Sequence, residues 1–175
     1  GLIPLNGFHI SRSLKRRLLR KDYLIKINTS FPEVVSACAD RPETWINKII
    51  FDIYCALNDQ GVAHSLEVWK ENNLIGGVYG VSQGSAFFGE SMFSKERDAS
   101  KIALAFLVHR LKKTGFMLLD TQFPSPHLIS LGAKVVSKET YKILLKDAIK
   151  KEANFLESSY SVATDELLHL NGHTS

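Results

Sequence analysis

The sequence predicts an α+β domain built on a mixed β-sheet, and three features of the chain point to this fold class. First, strand-like segments in the middle of the chain are separated by short polar turns, which is typical of an antiparallel meander. These segments are residues 64–70, 74–81 and 85–88. Second, apolar residues at helical spacing precede and follow the meander. Third, the 175 residues are enough for one domain with a full core.

The first third of the chain predicts a strand and two further helices after a basic helix. Residues 23–27 alternate and read as a strand. A short helix is expected from Ser30, as its cap, to about Ala39, with Pro32 in its first turn. Asn47 is the expected cap of the next helix. The predicted buried stripe of that helix consists of Ile49, Ile50, Ile53 and Leu57.

The last third predicts a long helix, a short buried strand and a final helix. The long helix starts at Asp98 or Ser100, carries an apolar stripe, and ends at Gly115. The stripe consists of Leu104, Leu107, Val108 and Leu111. A buried strand, a helical turn, a strand and a helix follow at residues 116–120, 127–131, 135–136 and 137–150. We expect one domain over residues 1–150 and a polar, largely mobile tail over residues 151–175.

Positive charge is concentrated near the N-terminus. The net charge is +4, but six basic residues within ten positions contribute +6, so the rest of the chain carries −2. These residues are Arg12, Lys15, Arg16, Arg17, Arg20 and Lys21. On a helix, Arg12, Arg16 and Arg20 share one face. The residues able to point inward are Leu14, Leu18 and Leu19. Such a run is either a solvated face or a surface for a polyanion, and the absence of interleaved acids favours nucleic acid.

Several classes of protein are disfavoured by what the sequence lacks. No apolar run approaches the roughly 20 residues that span a bilayer, and no signal-peptide pattern is present. Cys38 and Cys55 have no metal-ligand spacing and are read as reduced core residues. His64 and His127 lack a diagnostic partner and are read as structural. The sequence therefore favours a cytoplasmic protein without a membrane segment, a metal site or a catalytic triad.

Two neighbouring segments carry polar side chains suited to chemistry. Glu90 lies in the aromatic, glycine-containing segment 87–94, and Asp120 and Gln122 lie at the end of the next predicted strand. Polar groups at the ends of neighbouring strands, surrounded by apolar side chains, are one way to build a reaction site. The alternatives are a surface carboxylate for Glu90 and a helix- or turn-capping pair for Asp120 and Gln122.

The order and spacing of several short motifs give the chain a family resemblance. The motifs are Phe8–Ser13, Thr44–Ile46, His64–Trp69, Gly76–Val81, Phe87–Ser94, Asp98–Lys101, Asp120–Gln122 and Ser130–Ala133. Each motif alone is weak evidence. Together, from about Ile3 to Leu145, they resemble the leucyl/phenylalanyl-tRNA–protein transferase family.

The resemblance implies a GNAT-like fold, that of the acyl-CoA N-acyltransferases, with helices flanking the mixed sheet. It implies an enzyme that moves leucine or phenylalanine, with methionine as a third candidate, from aminoacyl-tRNA to the N-terminal Lys or Arg of an acceptor protein. The product carries an N-degron, which marks it for degradation by the bacterial N-end rule pathway. The expected partners are leucyl-tRNA, phenylalanyl-tRNA and the acceptor protein. No metal or cofactor is expected, and we expect a monomer.

The resemblance also assigns roles to the catalytic candidates. Glu90 would hold the acceptor's α-amine, whose pKa near 8 leaves it partly protonated. Asp120 would polarise Gln122, whose side-chain carbonyl would face the attacking nitrogen and help to remove its proton. Proton transfer through the terminal ribose hydroxyl of the tRNA is the competing mechanism. An aminoacyl ester is already activated, so positioning is the main requirement.

Donor binding is expected to use three groups of residues. The apolar pocket for the leucine or phenylalanine side chain would consist of Val78, Phe87, Met92, Leu104 and Leu119, all of which are equally typical of a plain core. Trp45 and Tyr54 would flank the aminoacyl-adenosine end, where an aromatic ring stacks on a base. The basic helix would hold the acceptor stem by its phosphates.

Two rival functions are weighed against this interpretation. Acetyl-CoA enzymes place a glycine-rich loop between strand and helix, but residues 90–98 contain no glycine. The second rival is a non-catalytic aminoacyl-tRNA-binding fragment. The resemblance implies an additional N-terminal region with aromatic residues in most family members, and we expect this sequence to begin just after it. The presence of Glu90, Asp120 and Gln122 together argues against a pure binder.

Overall fold

The computed structural model of the chain describes residues 1–157 and 167–168, and its centre is a six-stranded sheet. The strands are β1 (Leu2–Ile3), β2 (Leu24–Ile27), β3 (Ala63–Lys70), β4 (Asn73–Gln83), β5 (Ala86–Ser94) and β6 (Leu118–Asp120). Their order is β1-β6-β5-β4-β3-β2. Strands β5 and β6 are parallel, whereas the other neighbours in this sheet are antiparallel. The predicted meander and the predicted mixed sheet are therefore confirmed.

Helices cover both faces of the sheet. They are α1 (Arg12–Leu19), α2 (Phe31–Ala39), α3 (Lys48–Asp59), α4 (Ala99–Lys113), α5 (Pro126–Ser130) and α6 (Lys138–Ile149). The connection from β5 to β6 runs through α4, which packs on β3 and β4 and is buried throughout residues 102–111. A second core cluster lies between the sheet and the pair α2 and α3. The α+β class is thus confirmed.

The helix caps follow the sequence with one exception. Asn47 Oδ1 accepts a hydrogen bond from the amide of Ile50 at 2.9 Å, as predicted for the start of α3. Ser30 precedes α2, but its side chain makes no capping hydrogen bond. Its backbone N–H donates to Glu67 Oε1 at 2.8 Å, so this buried carboxylate satisfies the N–H of Ser30 itself.

The predicted buried stripe of α3 is wrong in part. Ile50 and Leu57 are half-buried, but Ile49 and Ile53 are 71% and 52% exposed. The covered face instead includes Tyr54, which packs in the same cluster as Ile50 and Leu57. Helical spacing identifies apolar faces but does not show which of them a neighbour covers.

Three smaller predictions also differ from the structure. Leu19 is 48% exposed, so only Leu14 and Leu18 anchor α1 in the core. Residues 135–136 form no strand, because only the adjacent Lys134 makes an isolated bridge, to Leu2. The third β-strand of the meander does not stop at residue 88 but continues as β5 to Ser94.

The segment after α6 packs into the core. Phe155 is 2% exposed and its ring stacks on His64, with 4.4 Å between the ring centroids, and on Phe87, at 5.3 Å. Its carbonyl oxygen accepts a hydrogen bond from Arg110 Nε at 2.7 Å. The first part of the expected polar tail is therefore attached to the domain. Residues 158–166 and 169–175 of that tail lie outside the described residues.

Candidate functional site

Glu90 is the extra residue of a β-bulge in the middle of β5. Tyr79 of β4 pairs with Ser91, whereas the next residue, Gly80, pairs with Gly89, so Glu90 has no partner in the register. A bulge of this kind redirects a side chain and reverses the alternation of the residues that follow it. Phe87 and Met92 accordingly contact the same core cluster although they are five residues apart.

Gly80 is required where the bulge forms. A Cβ atom at this position would lie 2.2 Å from the carbonyl oxygen of Phe88 and 2.5 Å from the ring of Phe87. Because neither a backbone oxygen nor a fully buried ring can move easily, only glycine allows β4 and β5 to approach this closely.

Asp120 ends β6 and holds the backbone of the next loop. Its Cα pairs with that of Phe88 across the parallel ladder, and the residue is 8% exposed. Oδ1 accepts a 2.6 Å hydrogen bond from the backbone N–H of Gln122, and Oδ2 accepts one from the hydroxyl of Tyr141 on α6. Gln122 has a φ of +57°, in the left-handed region that strains a residue with a side chain. The carboxylate thus stabilises a strained backbone turn.

The side chain of Gln122 reaches Glu90. Its Nε2 atom donates to Glu90 Oε2 at 3.2 Å, which leaves the amide oxygen as the acceptor that can face a ligand. Burial and the nearby carboxylate of Glu90 raise the pKa of Tyr54. A chain of hydrogen bonds therefore runs from Tyr141 through Asp120 and Gln122 to Glu90.

This geometry differs from the predicted relay in one respect. Asp120 contacts the backbone N–H of Gln122 and not its side-chain amide. The carboxylate therefore positions the amide of Gln122 by fixing the main chain, rather than by polarising it directly.

An apolar cleft of about 310 Å³ opens beside Glu90 and Gln122. Four of the five predicted pocket residues line it, namely Val78, Met92, Leu104 and Leu119. The fifth, Phe87, does not: it is 1% exposed and packs against Phe116 and Phe155 in the core. Further lining residues that the sequence did not single out include Arg41, Leu107, Phe123 and Leu128. A cleft of this size and lining is within the range of small-ligand sites.

Arg41 is a charged residue of the cleft that sequence reasoning missed. Its Nη2 atom donates to Ser91 Oγ at 3.2 Å and to the carbonyl oxygen of Met92 at 3.0 Å. These bonds attach the loop between α2 and α3 to β5 directly after the bulge. The only sequence signal was the polar break at residues 40–43, which does not by itself indicate a contact with β5.

A second cleft, the aromatic cleft, lies on the other side of Glu90. It measures about 430 Å³ and is lined by Trp45, Tyr54, Phe88 and other apolar residues of α3 and β4. The rings of Trp45 and Tyr54 meet edge to face, with centroids 6.2 Å apart, and Trp45 is 50% exposed. Glu90 lines both clefts, so its side chain is shared between them.

The basic helix borders a third, polar cleft of about 470 Å³, the basic cleft. Arg16, Arg17 and Arg20 line it together with Lys70 and Arg97, whereas Arg12, Lys15 and Lys21 do not. Three carboxylates share the cleft, those of Asp22, Glu96 and Asp98. Arg17 forms an ion pair with Asp22, so this arginine is already neutralised within the domain.

Neither histidine read as structural belongs to the site. His64 is 2% exposed, and burial, aided by Arg110, lowers its pKa to about 4. Burial also lowers the pKa of His127. Within residues 1–157 and 167–168, no group of three or more His, Cys, Asp or Glu side chains is placed to hold a metal ion. No helix in the same part of the chain is long and apolar enough to span a bilayer.

Comparison with known sequences gives a family match over most of the chain. The family model described as leucyl/phenylalanyl-tRNA protein transferase matches residues 2–146. A leucyl/phenylalanyl-tRNA–protein transferase of Ruegeria sp. (strain TM1040) is 58% identical over 89% of this chain and 74% of its own length. One from Cereibacter sphaeroides (strain ATCC 17023) is 51% identical over 100% of this chain and 82% of its own. A third, from Hyphomonas neptunium, is 47% identical over 98% and 68%.

Solved structures resemble the chain only distantly. A ribosomal-protein-alanine N-acetyltransferase from Brucella melitensis biovar Abortus 2308 gives a TM-score of 0.47 at 14% identity, covering 66% of this chain and 96% of its own. L-PGS from Bacillus licheniformis gives 0.49 at 12% identity, covering 97% and 55%. The α+β class of the chain is given by its own six-stranded sheet and flanking helices.

Proposed function

Because the chain belongs to the leucyl/phenylalanyl-tRNA protein transferase family, we propose that it moves leucine or phenylalanine, with methionine as a third donor, from aminoacyl-tRNA to proteins that begin with Lys or Arg. The observation that carries the proposal is the apolar cleft that opens beside the hydrogen-bonded pair Glu90 and Gln122. A side chain without polar atoms fits the cleft, and a reacting amine fits the pair.

The reaction replaces an ester by an amide. The acceptor's α-nitrogen attacks the aminoacyl carbonyl carbon, the bond from that carbon to the terminal ribose oxygen breaks, and a proton passes from the nitrogen to the departing oxygen. The ester supplies the driving force, so the protein mainly orients the two substrates. Glu90 attracts the cationic amine, and the Oε1 atom of Gln122 accepts a hydrogen bond from its neutral form.

The donor is proposed to occupy all three clefts. Its leucine or phenylalanine side chain enters the apolar cleft, where Met92 adapts to either shape. Its terminal adenine stacks on Trp45, whose side chain is half exposed. Its acceptor-stem phosphates contact Arg16 and Arg20 of the basic cleft, so binding depends on salt and not on base sequence.

The product is proposed to carry an N-degron and to enter the bacterial N-end rule pathway. A monomer in the cytoplasm fits this role, since both substrates are found there and one chain supplies Glu90, Gln122 and the apolar cleft. No cofactor is needed, because the aminoacyl ester is already activated.

The main test is transfer of labelled leucine from leucyl-tRNA to a peptide beginning with Arg. We expect transfer to this peptide and none to a matched peptide beginning with Ala. Valyl-tRNA is the donor control, since β-branching adds bulk close to the backbone. Equal transfer to both peptides, or no transfer to either, would contradict the proposal.

A second test addresses the basic cleft. Substituting both Arg16 and Arg20 by Ala should weaken tRNA binding roughly tenfold and lower the salt slope by about one for each phosphate that is no longer neutralised. Lys142 and Lys146, which lie on α6, provide the matched control with the same change in charge. If both double variants weaken binding equally, the basic cleft is not the tRNA surface.

A further inference from the structure

We infer that Tyr141 is a positioning residue for aminoacyl transfer, acting through Asp120 to hold Gln122 in its strained conformation. The inference rests on the proposed function, because it assumes that Glu90 and Gln122 receive the reacting amine. Tyr141 lies on α6, a helix that contributes no residue to the apolar cleft.

The two carboxylate oxygens of Asp120 have different hydrogen-bond partners. Oδ2 accepts a hydrogen bond from the hydroxyl of Tyr141, and Oδ1 accepts one from the backbone N–H of Gln122 at 2.6 Å. A carboxylate bonded on one side only is free to rotate about its last side-chain bond. The Tyr141 hydroxyl removes that freedom and presents Oδ1 to the loop.

The backbone of Gln122 is strained. A φ of +57° is unfavourable for a residue with a Cβ atom and persists only where the surroundings enforce it. The hydrogen bond to Asp120 Oδ1 supplies such enforcement at the strained residue. A second one precedes it, since the amide of Thr121 donates to the carbonyl oxygen of Gly1 at 3.0 Å.

The helix that carries Tyr141 is firmly attached to the domain. Ala148 on α6 is fully buried, and its carbonyl oxygen accepts hydrogen bonds from both the backbone N–H of Ser85, at 2.9 Å, and its hydroxyl, at 2.8 Å. Ser137 caps the other end of the helix. Tyr141 itself packs with Leu2 and Leu118 of the sheet. The Tyr141 side chain is therefore held in a fixed position. Burial and Asp120 raise the pKa of Tyr141 to about 12, so its hydroxyl is protonated and donates at neutral pH.

The Tyr141 hydroxyl therefore affects the groups that receive the reacting amine through Asp120 and Gln122. Without the Tyr141 hydroxyl, Asp120 loses its fixed orientation, Gln122 relaxes out of the left-handed region, and its Nε2 atom leaves Glu90. The change is confined to the side of the apolar cleft that meets the reacting amine, while Val78, Met92, Leu104 and Leu119 stay in place, so the loss falls on turnover more than on donor affinity.

The test compares two substitutions that each delete one phenol oxygen. Tyr141→Phe should lower kcat roughly tenfold or more while KM for leucyl-tRNA changes less than about twofold. Tyr79→Phe is the control, because the buried Tyr79 hydroxyl has no hydrogen-bond partner among the described residues, and its kcat should equal that of the unmodified chain. In a Gln122→Ala background, Tyr141→Phe should have no further effect on kcat, since the residue through which it acts is gone.

A second variant separates hydrogen bonding from folding. A fluorinated tyrosine at position 141 keeps the ring and the fold but ionises at lower pH, so its kcat should fall with rising pH relative to the unmodified protein. A wild-type kcat for Tyr141→Phe, an additive effect with Gln122→Ala, or an unchanged pH profile would overturn the inference and leave the proposed function standing. Absence of transfer by the unmodified chain would overturn both.

Discussion

Two buried carboxylates in this molecule differ in the number of hydrogen bonds that they accept and in their distance from the apolar cleft. Glu67, on β3, is fully buried and accepts four hydrogen bonds, from the hydroxyl of Thr29, the N–H of Ser30 at 2.8 Å, the hydroxyl of Ser65 at 2.9 Å and Trp69 Nε1 at 3.0 Å. Asp120, on β6, accepts hydrogen bonds from Gln122 and Tyr141 and borders the loop that lines the apolar cleft.

The difference separates a structural carboxylate from one suited to function. Each oxygen of Glu67 is bonded twice, so it has no acceptor site for a ligand and its role is to join β3 to the start of α2. Asp120 is bonded once on each oxygen, and one of these bonds holds a strained residue that faces a cleft. Burial alone does not distinguish them, whereas the partners do.

The largest effect is expected for Asp120→Ala. The change removes the acceptor that fixes Gln122, so kcat/KM for leucine transfer should fall about 100-fold or more, which corresponds to about 2.7 kcal/mol of transition-state stabilisation. The free energy of unfolding should fall by about 1 to 2 kcal/mol, less than for Glu67, because Asp120 has two hydrogen-bond donors around it and Glu67 has four. Transfer assays and urea unfolding of the same preparation measure both quantities. A large loss of stability with normal turnover would reverse the comparison.

Glu67→Gln should produce the opposite pattern. The amide of glutamine offers donors where the site already supplies donors, so we expect the free energy of unfolding to fall by about 3 kcal/mol. Turnover by the folded fraction should stay within about twofold of the unmodified chain, as Glu67 lines none of the three clefts. Urea unfolding and active-site titration check the two expectations. If kcat falls while stability does not, Glu67 belongs to the site.

The sequence singled out Glu90, Asp120 and Gln122 because each stands in a motif of the family resemblance, and the structure brings the three residues together. The sequence did not identify the bulge at Glu90, since an extra residue in one strand is defined only against its partner strand. Tyr141 and Arg41 were missed for the same reason: each acts on a segment distant in the chain, through contacts that no local spacing indicates.

Periodicity had a similar limit. It placed α4, which is buried along most of its length, and the meander, whose turns are short and polar. It failed for Ile49 and Ile53 on α3, which are exposed. An apolar side chain at a regular position is equally suited to a core, a cleft or an exposed surface, and only the packing of neighbouring elements decides among them.

His64 extends the comparison to a buried base. Burial lowers the pKa of His64 to about 4 from an ordinary value of 6.5. Between about pH 4 and pH 6.5 the unfolded chain therefore binds a proton at His64 more readily than the folded chain does. Stability therefore falls as pH drops through this window, by about 1 kcal/mol between about pH 7 and pH 5.5. Urea unfolding at the two pH values measures it. His64→Gln should flatten this dependence, and an unchanged slope would assign the acid sensitivity to other groups.

The smallest effect on stability is expected for Tyr79→Phe. This substitution removes a buried polar group that, unlike the carboxylates of Glu67 and Asp120, has no hydrogen-bond partner among the described residues. Tyr79 is fully buried, its ring packs against Phe31 and Tyr54, and its hydroxyl lacks a hydrogen-bond partner within residues 1–157 and 167–168. Removing an unpaired buried oxygen while keeping the ring should raise the free energy of unfolding by about 0.5 to 1 kcal/mol. Thermal and urea unfolding would detect a gain of this size. A loss instead would mean that the hydroxyl is bonded, through a buried water for example, and that unpaired and paired hydroxyls cannot be told apart by protein contacts alone.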